Sequence, residues 1–349
     1  MSRVTFGLLV LPFTVMSAAH PSLAQVSLGT ALKPSKPLTV AAPQSAEVWR
    51  PFSDDSPWNT PIPANPALEA DSEALIADFA SSSPFGAHLD INIDNYAIPL
   101  FFADASTPQV PMTAAVGGQG WAAGGFASTM SMPLPQGAVA DPADDHHIAV
   151  IDKANNKEWA CWDTHLDSKS AGVCATSDLS GSGVRPRADL ASPWSEAHGA
   201  RACGFPLVAG LIRPEEVAAG RIRHALAIAY PHIRAGFYTP PASTAQARVG
   251  DNSVSTRGIP CGGRIQLDPA VNVDALDASP EAKVIMRALQ EYGAYVGDYS
   301  GALSIYADGS PDAQAEWEGV LHPAELNEVL DLNDLRVLKL GEVFDNGNG

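Results

Sequence analysis

The sequence lacks the motifs of several common enzyme classes. Its 349 residues contain no CxxC pair, no HExxH motif, no GxSxG frame and no glycine-rich phosphate or dinucleotide loop. These absences argue against a structural zinc site, a zinc protease, a serine hydrolase and a nucleotide-binding enzyme. We therefore expect no cofactor and no metal, with a site made from His146, His147 and His224 as the less favoured alternative. No segment approaches 18 consecutive apolar residues, so the sequence predicts no membrane span.

Basic residues are also scarce. The chain has 21 Lys and Arg against 39 Asp and Glu, a formal net charge of −18. This balance excludes a general binder of nucleic acids or anionic membranes. Residues 185–264 are the exception, with ten arginines, no lysine and five acids. Arginine without lysine suits bidentate recognition of carboxylates, so Arg201, Arg213 and Arg223 are candidate substrate-binding residues. Pairing of these arginines with acids elsewhere in the fold is the alternative, and it carries somewhat more weight.

The N-terminal region has the features of an export signal. Arg3 precedes the apolar run Val4–Ala18, and small residues follow it, which predicts a signal peptide over residues 1–24. Residues 25–48 are rich in Pro, Ala, Ser and Thr and predict a flexible lead-in. Because no second linker or internal repeat follows, we expect residues 49–345 to form a single domain. The protein is expected to be secreted or periplasmic.

Short strand-like segments dominate the rest of the chain, punctuated by 29 Gly and 29 Pro. They predict a mainly β fold, a sandwich or jelly-roll-like domain with two or three peripheral helices. A compact α+β fold is the alternative. Helical spacing or capping residues place the helices near residues 66–80, 213–220 and 279–296.

The most informative segment is a predicted β-hairpin. Asp144–Asp152 alternates apolar residues after two acids and two histidines, and the chain returns through Glu158–Asp163 after an Asn-rich turn. Acid, imidazole and indole side chains together suit a cleft that binds or cleaves sugars, which makes Asp145, His147 and Glu158 candidate catalytic residues. A solvated turn flanked by core tryptophans is an equally weighted alternative.

Four cysteines predict disulfides, since an even count in an exported chain favours pairing. Three pairings are possible. We favour Cys161–Cys174 with Cys203–Cys261, because the first closes a short loop behind the hairpin and the second staples two later segments. Reduced, buried cysteines are the alternative.

Two further residues are candidate acid–base groups. His224 lies on the apolar face of a predicted strand, where a hydrogen-bonded core histidine is the somewhat favoured alternative. Asp298 follows the last predicted helix, where a carboxylate opposes the helix dipole and so needs another role. A turn-forming aspartate is the alternative there. Stacking on pyranose rings is a further candidate role, assigned to four tryptophans: Trp58, Trp121, Trp162 and Trp194.

Four segments resemble a family of exported bacterial proteins: Ser56–Ile62, Asp144–Asp163, Ala200–Leu226 and Ala288–Asp298. The resemblance covers about residues 49–345. It implies an exported protein that often occurs in polysaccharide-degrading bacteria, without supplying a reaction.

These features lead to a functional hypothesis: a secreted enzyme that cleaves glycosidic bonds of a polysaccharide or oligosaccharide. Hydrolysis is slightly favoured and needs two carboxyl groups, Asp298 with Asp145 or Glu158. β-Elimination would instead use the three candidate arginines to neutralise a uronate and a histidine as the base. The alternative from another class is a non-catalytic glycan-binding or cell-envelope protein.

Overall fold

The computed structural model describes residues 48–114, 120–121, 128–191, 194–246 and 258–346, with only the backbone described at 120–121 and 194–195. All of them belong to one compact unit, residues 37–349. Strands make up 27% of the structure and helices make up 15%. The prediction of a mainly β fold with a few helices is therefore confirmed. The predicted signal peptide and nearly all of the predicted lead-in lie outside the described residues.

Among the described residues, the strands in chain order are β1 (Leu89–Asn92), β2 (Leu100–Ala103), β3 (Gln109–Ala114), β4 (Gly120–Trp121), β5 (Thr129–Pro133), β6 (Ile148–Asp152), β7 (Lys157–Trp162), β8 (Ser170–Ala171), β9 (Val173–Asp178), β10 (Leu226–Tyr230), β11 (Phe237–Tyr238), β12 (Arg264–Leu267), β13 (Ala294–Tyr299), β14 (Leu303–Tyr306), β15 (Leu335–Val337) and β16 (Phe344–Asp345). The α-helices are α1 (Ser72–Ser81), α2 (Pro214–Ala218), α3 (Pro280–Glu291) and α4 (Pro311–Trp317). Short 3₁₀ turns occur at Trp194–Ala197, Val273–Ala275 and Leu332–Asp334.

The strands form two principal sheets. A six-stranded sheet has the order β1-β14-β10-β13-β12-β15, and a five-stranded sheet has the order β2-β6-β7-β9-β4. Three strands, β5-β3-β8, form a smaller sheet, and β11 pairs with β16. The first sheet is mixed, because β10 runs parallel to β13 and antiparallel to β14. The connection from β10 to β13 includes α3, as a parallel crossover requires.

The predicted hairpin is present and divides the core in two. β6 and β7 pair antiparallel, with Ile148 opposite Cys161 and Asp152 opposite Lys157. Ala149 and Ile151 pack into the larger hydrophobic core beside the six-stranded sheet. Ile148 and Val150 pack into a smaller core with residues of the three-stranded sheet. β6 is therefore buried on both faces, which explains its continuous apolar run.

The last predicted helix is shorter than expected. α3 ends at Glu291, and the chain turns at Gly293, whose φ is +67°. Glycine adopts this left-handed conformation without the steric penalty of a Cβ, so it ends the helix and admits a new strand. Asp298 consequently lies on β13, not behind a helix C-terminus, and the expected conflict with a helix dipole does not arise.

The predicted disulfide pairing is confirmed. Cys161 and Cys174 lie directly opposite each other on β7 and β9. Cys203 and Cys261 join two loops that both contact β13. None of the helices in the described ranges has the length and apolar character needed to cross a membrane.

Candidate functional site

The candidate site lies where the two principal sheets meet. Asp145 and His147 immediately precede β6, and Trp162 ends β7 in the five-stranded sheet. Asp298 and Tyr306 come from β13 and β14 of the six-stranded sheet, and Arg201 lies on the loop between the sheets. The pKa values of His147, Asp298 and Tyr306 are shifted, and charges of other members of the group contribute to each of these shifts.

A β-bulge directs Asp298 into this site. Val296 pairs with Ile228, but Asp298 pairs with the next residue, Ala229, so Gly297 is an extra residue in β13. Regular alternation would place Asp298 on the face of Val296. The bulge moves it to the opposite face, which also carries Tyr306.

The loop that carries Arg201 is hydrogen-bonded to the bulge. The Cys203 amide donates to the Gly297 carbonyl at 3.2 Å, and the Gly262 amide donates to the Val296 carbonyl at 2.8 Å. The Cys203–Cys261 disulfide joins these two contacts. A Cβ on Gly297 would lie 3.0 Å from the Arg201 side chain, so glycine allows the loop to approach.

Asp298 has a pKa suited to proton transfer at neutral pH. Burial is the largest cause that raises its pKa from 3.8 to about 7. The charge of Asp145 raises this pKa further, while Arg201 and the Ala202 amide lower it. The residue as a whole is partly exposed. A carboxyl group that holds its proton near pH 7 can act as a general acid.

Asp145 is the more exposed carboxylate of the pair. Its side chain is 40% exposed, and its Oδ1 accepts a hydrogen bond from Trp162 Nε1 at 3.0 Å. Gly172 gives the indole its place, because a Cβ there would lie 2.7 Å from the Trp162 ring. The indole therefore orients a solvent-accessible carboxylate toward the site.

His147 stands behind Asp145 as a neutral imidazole. The residue is 3% exposed, and its Nδ1 lies 3.9 Å from Asp145 Oδ2. Burial is the largest cause that lowers its pKa to about 4; Arg201 lowers it further, and Asp145 opposes the shift. Neither ring nitrogen has a hydrogen-bond partner in the described part of the chain. An unsatisfied buried histidine is costly, which is a feature of functional sites more than of packed cores.

Arg201 is the electrostatic centre of the cluster. Its side chain is 0% exposed and its guanidinium lies 4.2 Å from the ring centroid of Tyr306. Nη2 donates to the Leu207 carbonyl at 3.5 Å, while Nε and Nη1 have no hydrogen-bond partner among the described residues. Burial is the largest cause that raises the pKa of Tyr306, and the charges of Asp298 and Asp145 raise it further.

His224 and Arg213 belong to a different cluster, which corrects their predicted roles. Arg213 makes two contacts with the Glu216 carboxylate, at 3.1 and 2.7 Å. His224 Nε2 lies 3.1 Å from Glu216 Oε1, and its Nδ1 lies 2.9 Å from the Ala225 carbonyl. Both ring nitrogens are thus engaged, and this cluster lies at the start of β10, whereas Asp298 pairs near its end. His224 is therefore unable to serve as the base of the candidate site.

Two other predicted residues are also corrected. Trp58 is 1% exposed and packs edge-on against Phe205 and Tyr295 in the core, so it cannot stack on a sugar. Glu158 is 0% exposed and cannot contact a substrate. Arg223 lies beside Val48 and Arg50 at the start of the described chain, and its role in substrate binding stays a prediction.

For Trp121 and Trp194, only the backbone is described, and the predicted role of their side chains lies outside the described residues.

Tyr306 was not among the residues predicted from the sequence. Nothing in the local sequence distinguishes it from a core tyrosine, and only the pairing of β14 with β10 brings it to the site. Within the described residues, no group of three His, Cys, Asp or Glu side chains could hold a metal ion.

No protein-family model, curated protein or solved structure matches this chain. The geometry of the site itself is therefore the basis for assigning a function.

Proposed function

We propose that this protein is an exported enzyme that hydrolyses glycosidic bonds of a polysaccharide. The observation that carries the proposal is the pair of coupled carboxyl groups, Asp298 and Asp145, in unlike environments. Asp298 has its pKa raised to about 7, in part by the charge of Asp145, while Asp145 is exposed and accepts an indole hydrogen bond. One protonated and one ionised carboxyl group are what glycoside hydrolysis requires.

In this mechanism Asp298 is the general acid. Its proton passes to the glycosidic oxygen as the bond to the anomeric carbon breaks, so the leaving sugar departs as a neutral alcohol. Arg201 lowers the proton affinity of Asp298 while burial and Asp145 raise it. The balance keeps the proton bound at neutral pH but easily transferred.

Asp145 is the second carboxyl group. It acts as the base that activates water or as the nucleophile that attacks the anomeric carbon, according to its separation from Asp298 in the substrate complex. Arg201, His147 and Tyr306 are buried, and we assign them to positioning and electrostatic tuning of the two carboxyl groups. Asp145 is exposed and Asp298 is partly exposed, which favours hydrolysis over chemistry performed by the buried residues.

β-Elimination on a uronate polymer is the second candidate. It is favoured by the free nitrogens of Arg201, which could neutralise a substrate carboxylate, and by the neutral ring of His147, which could act as a base. Their burial counts against it, since both side chains would have to become accessible on binding.

Two features support export. The two disulfides fit an oxidising compartment, and the N-terminal residues have a signal-peptide pattern.

The test is incubation with a panel of neutral and acidic polysaccharides, followed by assays for new reducing ends and for the ultraviolet absorbance of unsaturated uronates. Hydrolysis gives reducing ends without the absorbance, and elimination gives both. We expect the former, with kcat/KM falling about tenfold per pH unit above about pH 7 as Asp298 loses its proton. Binding without any product would overturn the proposal in favour of a glycan-binding protein.

A further inference from the structure

Glu158 is a buried acid that the proposed mechanism leaves without a task. It lies on β7 of the five-stranded sheet with no solvent exposure, where burial is the largest cause that raises its pKa. An ionisable group in such a place is costly to bury and is retained only with compensating contacts.

Its main contact leads to the candidate site. Glu158 Oε1 accepts a hydrogen bond from the Val208 amide at 2.8 Å. The carbonyl of the same peptide unit, that of Leu207, accepts from Arg201 Nη2 at 3.5 Å. A single peptide group therefore lies between the acid and the guanidinium, with its donor directed to the acid and its acceptor to the arginine. The charges of Arg185 and Arg201 both lower the pKa of Glu158.

The segment that contains this peptide, residues 207–210, also links the two sheets. Two residues beyond Val208, the Gly210 carbonyl accepts from the Ala227 amide of β10 at 3.1 Å. Glu158 thus fixes the segment from the side of the five-stranded sheet, and β10 fixes it from the other side. Through the Leu207 carbonyl, Arg201 contacts a segment that is held by both sheets.

We infer that Glu158 is a positioning residue: through the Leu207–Val208 peptide it holds Arg201 in place beside Asp298. The inference names a positioning residue for the proposed hydrolysis and in that respect rests on the proposed function. The positioning of Arg201 by Glu158 can be tested independently of that function, because the titration of Asp298 can be measured without a substrate.

The test compares three variants at one position. Glu158→Ala removes the acceptor for the Val208 amide, and Glu158→Asp keeps a carboxylate but withdraws it by one methylene. Glu158→Gln keeps an acceptor oxygen at the same reach. Carboxyl ¹³C NMR titration of Asp298 is the readout. We expect its pKa to rise in the Ala and Asp variants, because Arg201 no longer lowers it fully, and not to rise in the Gln variant. An Ala variant that fails to fold leaves the Asp variant to decide.

Two controls separate positioning from a general loss of stability. In an Arg201→Ala background, Glu158→Asp should no longer change the pKa of Asp298, since its effect passes through Arg201. Glu216→Gln, in the separate cluster, should destabilise the fold without moving that pKa. If the Asp298 titration is the same in wild type and Glu158→Asp, or if the shift persists without Arg201, the inference is overturned.

Activity provides the link to function. On a cleaved polysaccharide, kcat should fall by up to about a hundredfold in Glu158→Asp with KM little changed, since a misplacement of about 1 Å that starts away from the reacting atoms can lower the rate on that scale. Absence of cleavage by the wild type would refute the proposed function alone, because the shift in the Asp298 titration would still decide the role of Glu158.

Discussion

Two buried arginine clusters in this protein have similar composition and opposite character. Arg213, Glu216 and His224 form one, and Arg201, His147 and Asp298 belong to the other. In the first, the carboxylate contacts the guanidinium at 2.7 Å and the imidazole at 3.1 Å, and its pKa is lowered to about 2, although burial, the largest single cause, opposes that shift. In the second, the guanidinium and imidazole retain nitrogens without partners in the described residues, and the pKa of the acid is raised to about 7.

The difference shows how a fold uses buried charge in two ways. A carboxylate that contacts an arginine and a histidine is fixed in its ionised state and serves structure. A carboxyl group that is buried beside another acid and only partly compensated by arginine stays ready to exchange a proton, at a cost in stability. The sign of each pKa shift therefore separates the structural cluster from the candidate site.

The largest expected effect falls on the structural cluster. Glu216→Gln removes the only described carboxylate within salt-bridge distance of His224 and leaves the buried guanidinium of Arg213 without its full counter-charge. We expect the free energy of unfolding to fall by about 3 to 5 kcal/mol, measured by denaturant titration, with kcat nearly unchanged at a temperature where the variant is folded. A large loss of kcat with unchanged stability would reverse our assignment of the two clusters.

The next effect falls on the candidate site. Asp298→Asn removes the transferable proton donor while keeping the size of the side chain. Activity on a cleaved polysaccharide should fall by about a hundredfold or more, the usual scale for an acid–base group, as measured by release of reducing ends. Near-wild-type turnover by the folded variant would show that Asp298 is not the acid.

The same variant should be more stable than the wild type at high pH. The folded state holds the Asp298 proton up to about pH 7, whereas the unfolded chain releases it near its usual value of 3.8. Wild-type stability is thus reduced as pH rises between these values, and asparagine avoids the loss. We expect a gain of about 1 to 2 kcal/mol above pH 7, discounted for the partial exposure of Asp298, and none near pH 3. Unfolding curves at both pH values provide the check; an equal gain at both would contradict the raised pKa.

The smallest expected effect is the difference in kcat between variants of the two histidines, His224 and His147. His224→Gln should change kcat by less than about twofold, because His224 lies in the structural cluster at the other end of β10. His147→Gln is the matched variant, and it should lower kcat by on the order of tenfold through its contact with Asp145. Equal activities of the two variants would remove the distinction between the clusters.

Local sequence signals predicted many elements of this fold. Apolar alternation predicted the hairpin of β6 and β7, and Ser279-Pro280 predicted the start of α3. The same signal occurs at Ser310-Pro311, where α4 begins, although the sequence analysis did not predict that helix. Both helix starts carry a local signal, because a capping serine and a proline in the first turn act only on the next few residues.

The candidate site was only partly predictable. Asp145, His147, Trp162, Arg201 and Asp298 were selected for their residue types, while Tyr306 was not. Arg213 was selected for the same reason as Arg201, but the acids that the two arginines meet differ. Glu216, which Arg213 contacts, lies only three residues further along the chain, whereas Asp298, whose pKa Arg201 lowers, lies on a strand that is distant in the sequence. The local sequence therefore contained the first pair, and only the fold brings the second pair together.

The sequence by itself determined the mainly β character, the hairpin, the supply of disulfide-forming cysteines and the strongly acidic balance, because these follow from composition and short-range periodicity. Only the tertiary structure decided which buried charges are satisfied. The extra residue at Gly297 turns Asp298 to the face of Tyr306, and the loop at Arg201 reaches it across the bulge. Proton affinity depends on burial and on charges brought together from distant parts of the chain, so it emerges only when the chain is folded.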